Sequence, residues 1–382
     1  MKKNPQDVAN KRIVIVGVHG WFPMKLVRSV VGEPTGTSAK FCEQMTVAVK
    51  TFFKNTYELE LPDEAIVSIP LQYEGKVLDR VERLYNMLTN EYKESIESAN
   101  VILWTTHSQG TPVSTILLRK LIEDEIIHIK RQPICMLAMA GISHGPFPSL
   151  KGNILVKYFE ADAARELFEF MDSDSAISIQ YREAMAFILQ NNIKTVLVGS
   201  MQDQVVPLYS AIMSGVTHPN ILRAIYIDGH IYSKDDFLIR LILFSLKLRN
   251  IGLSDHGVLI HISEVLAGNL YSWEGGHSTI YEEVEVFMLP LAYLFQSKPF
   301  GKLEPILNTV KAKLDPFQAR SKWNPFYLPW AMRGIWDDPN ILNDNVLNRE
   351  LEKLQDLFDR WSPSSTKLKE IKFRLEPIRA RL

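Results

Sequence analysis

The run Val101-Ile-Leu-Trp-Thr-Thr-His107-Ser108-Gln109-Gly110-Thr-Pro-Val-Ser114 decides how this chain is read. An apolar stretch of strand length runs into a serine, and a helix-forming stretch follows it. A sharp strand-to-helix turn there lifts the serine Oγ above the end of a sheet, where a base can reach it. The next residue, Gln109, then offers its backbone N–H, at a helix N-terminus, to a developing oxyanion. The usual form of this turn has glycine two residues before the serine; here that position is Thr106. A plain strand–turn–helix junction has the same local pattern, so the motif alone discriminates weakly.

A second stretch narrows the choice. Arg12-Ile-Val-Ile-Val-Gly-Val-His19-Gly20-Trp21-Phe-Pro23 is a β-branched apolar run ending in His-Gly. Where such an early central strand precedes a nucleophile turn, the loop after it supplies the second oxyanion N–H. Glycine allows that backbone to come close where a side chain would block it. The competing reading is a buried parallel strand with a glycine turn. His-Gly and His-Ser-Gln-Gly about 90 residues apart fit one architecture better than either does alone.

The chain has 382 residues, 46% hydrophobic and 23% charged. It is long enough for one enlarged α/β domain or two domains. A formal net charge of −1 creates no global field for nucleic acid or an acidic substrate. Two cysteines, Cys42 and Cys135, make no disulfide framework, and Cys135 lies inside an apolar run. A reducing, cytoplasmic setting is therefore expected. The polar start, Met1 to Asp7, leads straight to the strand at Ile13 without a secretory leader pattern. No apolar run reaches the 18 residues that a membrane-spanning helix needs.

Strand signals at 12–18, 64–70, 100–105, 133–140, 194–199 and 223–228 alternate with helical signals at 38–54, 76–92, 110–124, 164–171, 180–191, 235–249 and 279–296. This rhythm predicts a mostly parallel sheet of about six strands. Residues 142–193 and 229–276 are the long excursions and are expected to form helical caps over the sheet's C-terminal edge. Residues 1–300 thus read as one α/β domain. Residues 301–382 leave the rhythm and read as a mainly helical extension, with helices over 345–361 and 366–382. Its segment 300–336 is rich in proline and aromatics, including Trp323, Phe326, Tyr327, Trp330 and Trp336. The last twenty residues carry six Lys/Arg against two Glu.

A serine nucleophile needs a base, and the base needs a group to orient it. After Ser108, Thr195-Val-Leu-Val-Gly199 leads into Ser200-Met-Gln-Asp203. Asp203 therefore sits just past a strand end on the expected edge; its competing role is that of a turn residue. Asp228, at the end of the next strand, is the alternative acid. For the base, His277 in Glu274-Gly-Gly-His-Ser-Thr-Ile-Tyr281 is favoured, because a glycine-rich loop before a closing helix can deliver an imidazole. His230 is the alternative. His107 is expected to point away from the nucleophile, and His144 to pack near the turn. His256 and His261 could suggest a metal site, but no His-Glu-x-x-His pattern or cysteine cluster accompanies them, and no metal is expected. Gly32 to Ser38 lacks the Gly-Lys-Ser/Thr ending of a phosphate loop.

Taken together, Gly17–Pro23, Thr106–Gly110, Ala140–Pro146, Asp203–Ser210 and Gly276–Tyr281 resemble the lipase-like α/β-hydrolases, specifically a fungal group of serine-active lipases. The resemblance covers roughly residues 12–296. It implies Ser108 as nucleophile, Asp203 as acid, His277 as base and no cofactor. Thr106 departs from the common lipase turn. The leading expectation is a serine esterase or lipase acting on an acyl ester, with a lipid as the favoured substrate. Gly20, Trp21 and Gln109 would bind its oxyanion. The alternative is a hydrolase scaffold serving as a binding or membrane-trafficking adaptor; a peptidase on the same fold is a third reading. The aromatics of 300–336 and the basic C-terminus either pack on the domain and meet solvent, or form a peripheral lipid contact.

Overall fold

The computed structural model describes residues 11–20, 37–152, 162–227, 236–266, 277–297, 310–319, 324, 326–363 and 366–379. In chain order the first elements are β1 (Ile13–Val18), α1 (Thr37–Tyr57), β2 (Ile66–Leu71), α2 (Val77–Glu91), α3 (Lys93–Glu97), β3 (Val101–His107), α4 (Gly110–Glu123) and β4 (Ile134–Met139). Then come α5 (Asp162–Leu167), α6 (Ala176–Gln190), β5 (Lys194–Ser200), α7 (Leu208–Ala211), β6 (Val216–Thr217) and β7 (Ile221–Tyr226). The rest are α8 (Phe237–Asn250), α9 (Val258–Leu266), α10 (Val284–Phe295), β8 (Lys313–Leu314), α11 (Tyr327–Trp336), α12 (Pro339–Leu342), α13 (Asn345–Arg360) and α14 (Thr366–Leu375).

Six strands form one sheet in the order β2-β1-β3-β4-β5-β7, and every neighbouring pair is parallel. This is the parallel sheet of about six strands that the alternating pattern predicts. The central strands read as unbroken apolar runs because both faces are covered. Residues alternate between those faces as the strand period requires. Val14, Val16, Ile102, Trp104, Met136 and Ala138 meet α2, α4 and α6 on one side. Ile13, Ile15, Leu103, Cys135 and Leu137 meet α1 and α10 on the other. Pro70 stands on β2, an edge strand, where a missing ladder donor is tolerated.

A third apolar cluster lies outside the sheet sandwich. Here α8 and α9 pack with α11, α12, α13 and α14. On α13 the buried residues Leu347, Leu351, Leu354 and Phe358 recur at helical spacing, so one stripe faces inward. Phe358 and Trp361 each place a ring 5.1 Å from that of Phe237. Trp336 is also fully buried, so this aromatic belongs to the protein interior. Phe326 and Trp330, at 72% and 70% exposure, do not. Trp323 lies outside the described residues.

A strap, residues 310–319, packs against the first cluster through Ala312 and Leu314. Its β8 pairs antiparallel with β6. Asp315 O accepts from Arg182 of α6 at 2.9 Å, and Phe317 stacks on His144 with ring centres 4.1 Å apart. Two-residue strands carry no readable period, which is why the sequence pattern does not announce them. Among the described residues no helix is long and apolar enough to cross a membrane.

Candidate active site

Parallel register brings the C-terminal ends of β1, β3 and β5 to one edge: Val18 pairs with Thr106, Thr106 with Ala138, and Ala138 with Leu197. Ligands of open α/β sheets bind beyond this edge. Ser108, Gln109, Asp203 and Gly20 lie just past these ends, and His277 is joined to Asp203 there.

Ser108 links β3 to α4 with φ +54°, a left-handed conformation that costs a non-glycine residue energy and persists only where its surroundings fix it. Those surroundings are visible. Ser108 N–H donates to Met139 O at 3.0 Å, and Ser108 O accepts from Thr111 N at 3.1 Å and Ile142 N at 3.3 Å. Gln109 follows as the residue capping α4, where the first N–H groups have no helical partner. The turn forms with Thr106 in place of the usual glycine because Gly110 supplies the missing room. A Cβ on Gly110 would lie 2.6 Å from Thr106 Oγ1, 2.6 Å from Val18 O and 2.7 Å from His19 O.

The β1 loop closes against the same serine. A Cβ on Gly20 would stand 2.8 Å from Ser108 Cβ and 3.4 Å from its Oγ. His19 Nδ1–H donates to Gly20 O at 2.5 Å. Burial, with the Arg80 guanidinium nearby, lowers the His19 pKa to about 4, so this imidazole is neutral at pH 7. Trp21, the other expected oxyanion donor on this loop, lies outside the described residues.

Past β5, Asp203 Oδ1 accepts from the N–H groups of Val205 and Val206 at 2.8 Å each. This fixes the carboxylate with Oδ2 turned to His277, whose Nδ1–H donates to it at 2.8 Å. An Nδ1–H tautomer leaves Nε2 as the basic nitrogen. The structure thus joins Asp203 to His277 directly, 74 residues apart. The alternatives Asp228 and His230 lie outside the described residues, as does the Glu274–Gly276 run before His277.

His107 meets the loop that carries His277. Its Nε2–H donates to His277 O at 2.9 Å, and the two rings lie 4.4 Å apart. Tyr281 meets the His107 ring edge-on at 5.1 Å. Complete burial, more than any nearby charge, drives the His107 pKa far below its usual value. The residue before the serine therefore holds the His277 loop as a neutral donor. Its partner is a backbone carbonyl 170 positions away, which no local pattern reveals.

Other histidines take structural places. His144 N donates to Ser210 Oγ at 2.9 Å, and its Nε2 accepts from Gly215 N at 3.1 Å. Burial lowers its pKa to about 3. His256 Nε2–H donates to Asp338, while His261 stacks on Tyr327. Among the described residues no group of three or more His, Cys, Asp or Glu is arranged to hold a metal. Cys42 and Cys135 are free and buried, and burial raises both thiols to about 12.

Solved structures similar to this one include phospholipase PlaB from Legionella pneumophila, 15% identical over 54% of this chain and 46% of PlaB, with a TM-score of 0.37. The lin2722 gene product of Listeria innocua is 8% identical over 76% of this chain and 96% of its own, at a TM-score of 0.37. A lipase-esterase related protein from Clostridium acetobutylicum is 14% identical over 57% and 86%, at 0.30. The chain spans less than half the length of PlaB. No curated protein matches it. Residues 1–339 match the model of the YMC0/YMC35 alpha/beta hydrolase domain, and the chain belongs to that family.

Proposed function

We propose that this protein is a serine hydrolase that cleaves an acyl ester, with a lipid ester as substrate, and that it stands with the fungal serine-active lipases. Two observations carry the proposal: the Asp203–His277 hydrogen bond of 2.8 Å, and a serine held at φ +54° on a strand-to-helix turn whose preceding residue, His107, bonds His277 O. In this reading His277 Nε2 takes the proton as Ser108 Oγ attacks the acyl carbonyl. Asp203 keeps the Nδ1–H in place and stabilises the imidazolium. The N–H groups of Gln109 and of the Gly20–Trp21 loop bind the oxyanion. His277 then protonates the departing alcohol, and water, activated by the same nitrogen, frees Ser108.

A fluorophosphonate probe tests this reading, because only an activated hydroxyl attacks its phosphorus quickly. Wild-type protein is expected to be labelled, and Ser108→Ala to lose the label. A folded wild type that stays unlabelled would favour the adaptor reading instead. Turnover across short esters, triacylglycerols and phospholipids then separates esterase from lipase.

The proposal includes a cytoplasmic location, which rests on the two free, buried cysteines, and a peripheral lipid contact, supported by the exposed rings of Phe326, Trp330 and Phe373, the last at 77% exposure on the basic α14. Amphipathic aromatics and cations suit a lipid headgroup region. Flotation with anionic liposomes is expected to carry the wild type upward and to leave Phe326→Ser/Trp330→Ser behind. Equal flotation of the two would remove the contact from the proposal.

A further inference from the structure

We infer that Arg80 is a positioning residue for catalysis: one buried guanidinium clamps the His19 carbonyl to the Gln109 side chain and so sets the two arms of the oxyanion site. This rests on the serine-hydrolase reading above and adds a residue to it.

Arg80 lies on α2 among Val77, Val81, Leu84 and Leu88, and none of it reaches solvent. A charge withdrawn from water needs strong compensation. Here the hydrogen-bond partners are a carbonyl and an amide, and the Glu74 carboxylate attracts the charge through space. Arg80 Nη2 donates to His19 O at 2.7 Å, and Nη1 donates to Gln109 Oε1 at 2.9 Å. Gln109 Nε2 in turn donates to Gly75 O at 3.0 Å. Two linked side chains, Arg80 and Gln109, thereby tie the β1 loop, the serine turn and the loop before α2. Burial lowers the Arg80 pKa only to about 10, so the group stays charged at pH 7.

The two clamped residues are the ones that matter to an oxyanion. Gln109 follows Ser108, and its N–H is one proposed donor. In a trans peptide the C=O and N–H point in opposite directions. Holding His19 O toward α2 therefore turns Gly20 N–H to the opposite side of that peptide. The next peptide is held by the His19 ring through Gly20 O. Arg80 touches none of the reacting atoms. It fixes the backbone that presents the donors, and preorganised donors are where oxyanion stabilisation comes from.

A purely structural arginine would change stability and leave turnover per folded molecule intact. A positioning arginine changes the transition state. The test is full-length Arg80→Met and Arg80→Lys, read by kcat and KM on p-nitrophenyl butyrate, by the rate of fluorophosphonate labelling at Ser108, and by thermal melting. Arg80→Met is expected to lose about 100-fold in kcat and in labelling rate, the scale of one oxyanion donor, with KM within about threefold. Arg80→Lys, which keeps the charge and one donor, is expected to recover part of that loss. Should Arg80→Met fail to fold, Gln109→Met removes one end of the clamp and is expected to lower kcat about tenfold. Unchanged kcat in folded Arg80→Met, or in both Arg80→Lys and Gln109→Met, would overturn the inference. So would a loss confined to KM or to melting temperature. An unlabelled, inactive wild type would overturn the hydrolase reading and this inference with it.

Discussion

The strand-end edge and the C-terminal helical layer bury their residues by opposite rules. At the edge the buried set is polar: His19, Arg80, Thr106, His107, Ser108, Gln109 and Asp203. Several of these bond to backbone groups, Arg80 and His107 to those of another loop and Asp203 to those of its own. In the helical layer the interior is apolar, from Leu241 and Ile262 to Trp336, Leu351 and Phe358. Apolar packing is tolerant of exact geometry, whereas a buried polar group demands its partner. One region is built for position and the other for cohesion, and substitutions in the two should separate turnover from stability.

The sharpest separation comes from Asp203→Asn. Oδ1 is committed to the N–H groups of Val205 and Val206, so the new amide must turn its NH2 toward His277. His277 Nδ1 then becomes an acceptor, and the proton moves to Nε2, the nitrogen needed as base. A loss of about 10⁴ in kcat is expected, the scale of forcing the wrong tautomer, with little change in melting. Ester hydrolysis alongside circular dichroism checks both halves.

Trp336→Ala is the mirror image. It empties a fully buried site in the helical layer and should cost about 3–5 kcal/mol of stability. Labelling of Ser108 per folded molecule should stay near wild type. A parallel fall in labelling at a temperature where the variant is folded would erase the contrast between the regions.

A smaller effect is acid sensitivity centred on the strand-end edge and its strap. His19 and His144 have folded pKa values lowered from 6.5 to about 4 and about 3. Below pH 6.5 the unfolded chain binds protons that the folded chain refuses, so stability falls with pH. The contribution of each group is full above pH 6.5. It is lost as pH drops toward 4 for His19 and toward 3 for His144, at up to about 1.4 kcal/mol per unit per group. His144→Gln keeps an acceptor for Gly215 N and should flatten the melting-temperature slope between pH 6.5 and 4. An unchanged slope would assign the acid sensitivity to other groups.

The sheet was legible because parallel strands buried on both faces must be apolar, and six such runs stand between helical stretches. The Ser108 turn and the position of Asp203 past a strand end could be read from the same rhythm, and His277 from the glycine-rich loop before a closing helix. Arg80 left a fainter trace: it falls between Val77, Val81 and Leu84 on the apolar stripe of α2, where a cation is out of place. His107 left none, since its partner is the carbonyl of His277. Helix α11 was hidden by its proline and aromatics, whose burial is decided by neighbours: Trp336 is buried in the helical layer, while Trp330, six residues earlier, faces out.

The strap of residues 310–319 has a consequence for how the chain is completed during synthesis. It arrives after every strand of the main sheet, yet it covers His144, receives Arg182 and pairs with β6. Until it emerges from the ribosome, the imidazole stacked on Phe317 and the nearby Tyr209 ring, 5.2 Å from Phe317, lack their cover. A nascent chain stalled before residue 310 would hold Ser108, Asp203 and His277 but leave the His144 and Tyr209 rings and the β6 edge uncovered. Surface left uncovered in this way is what chaperones recognise.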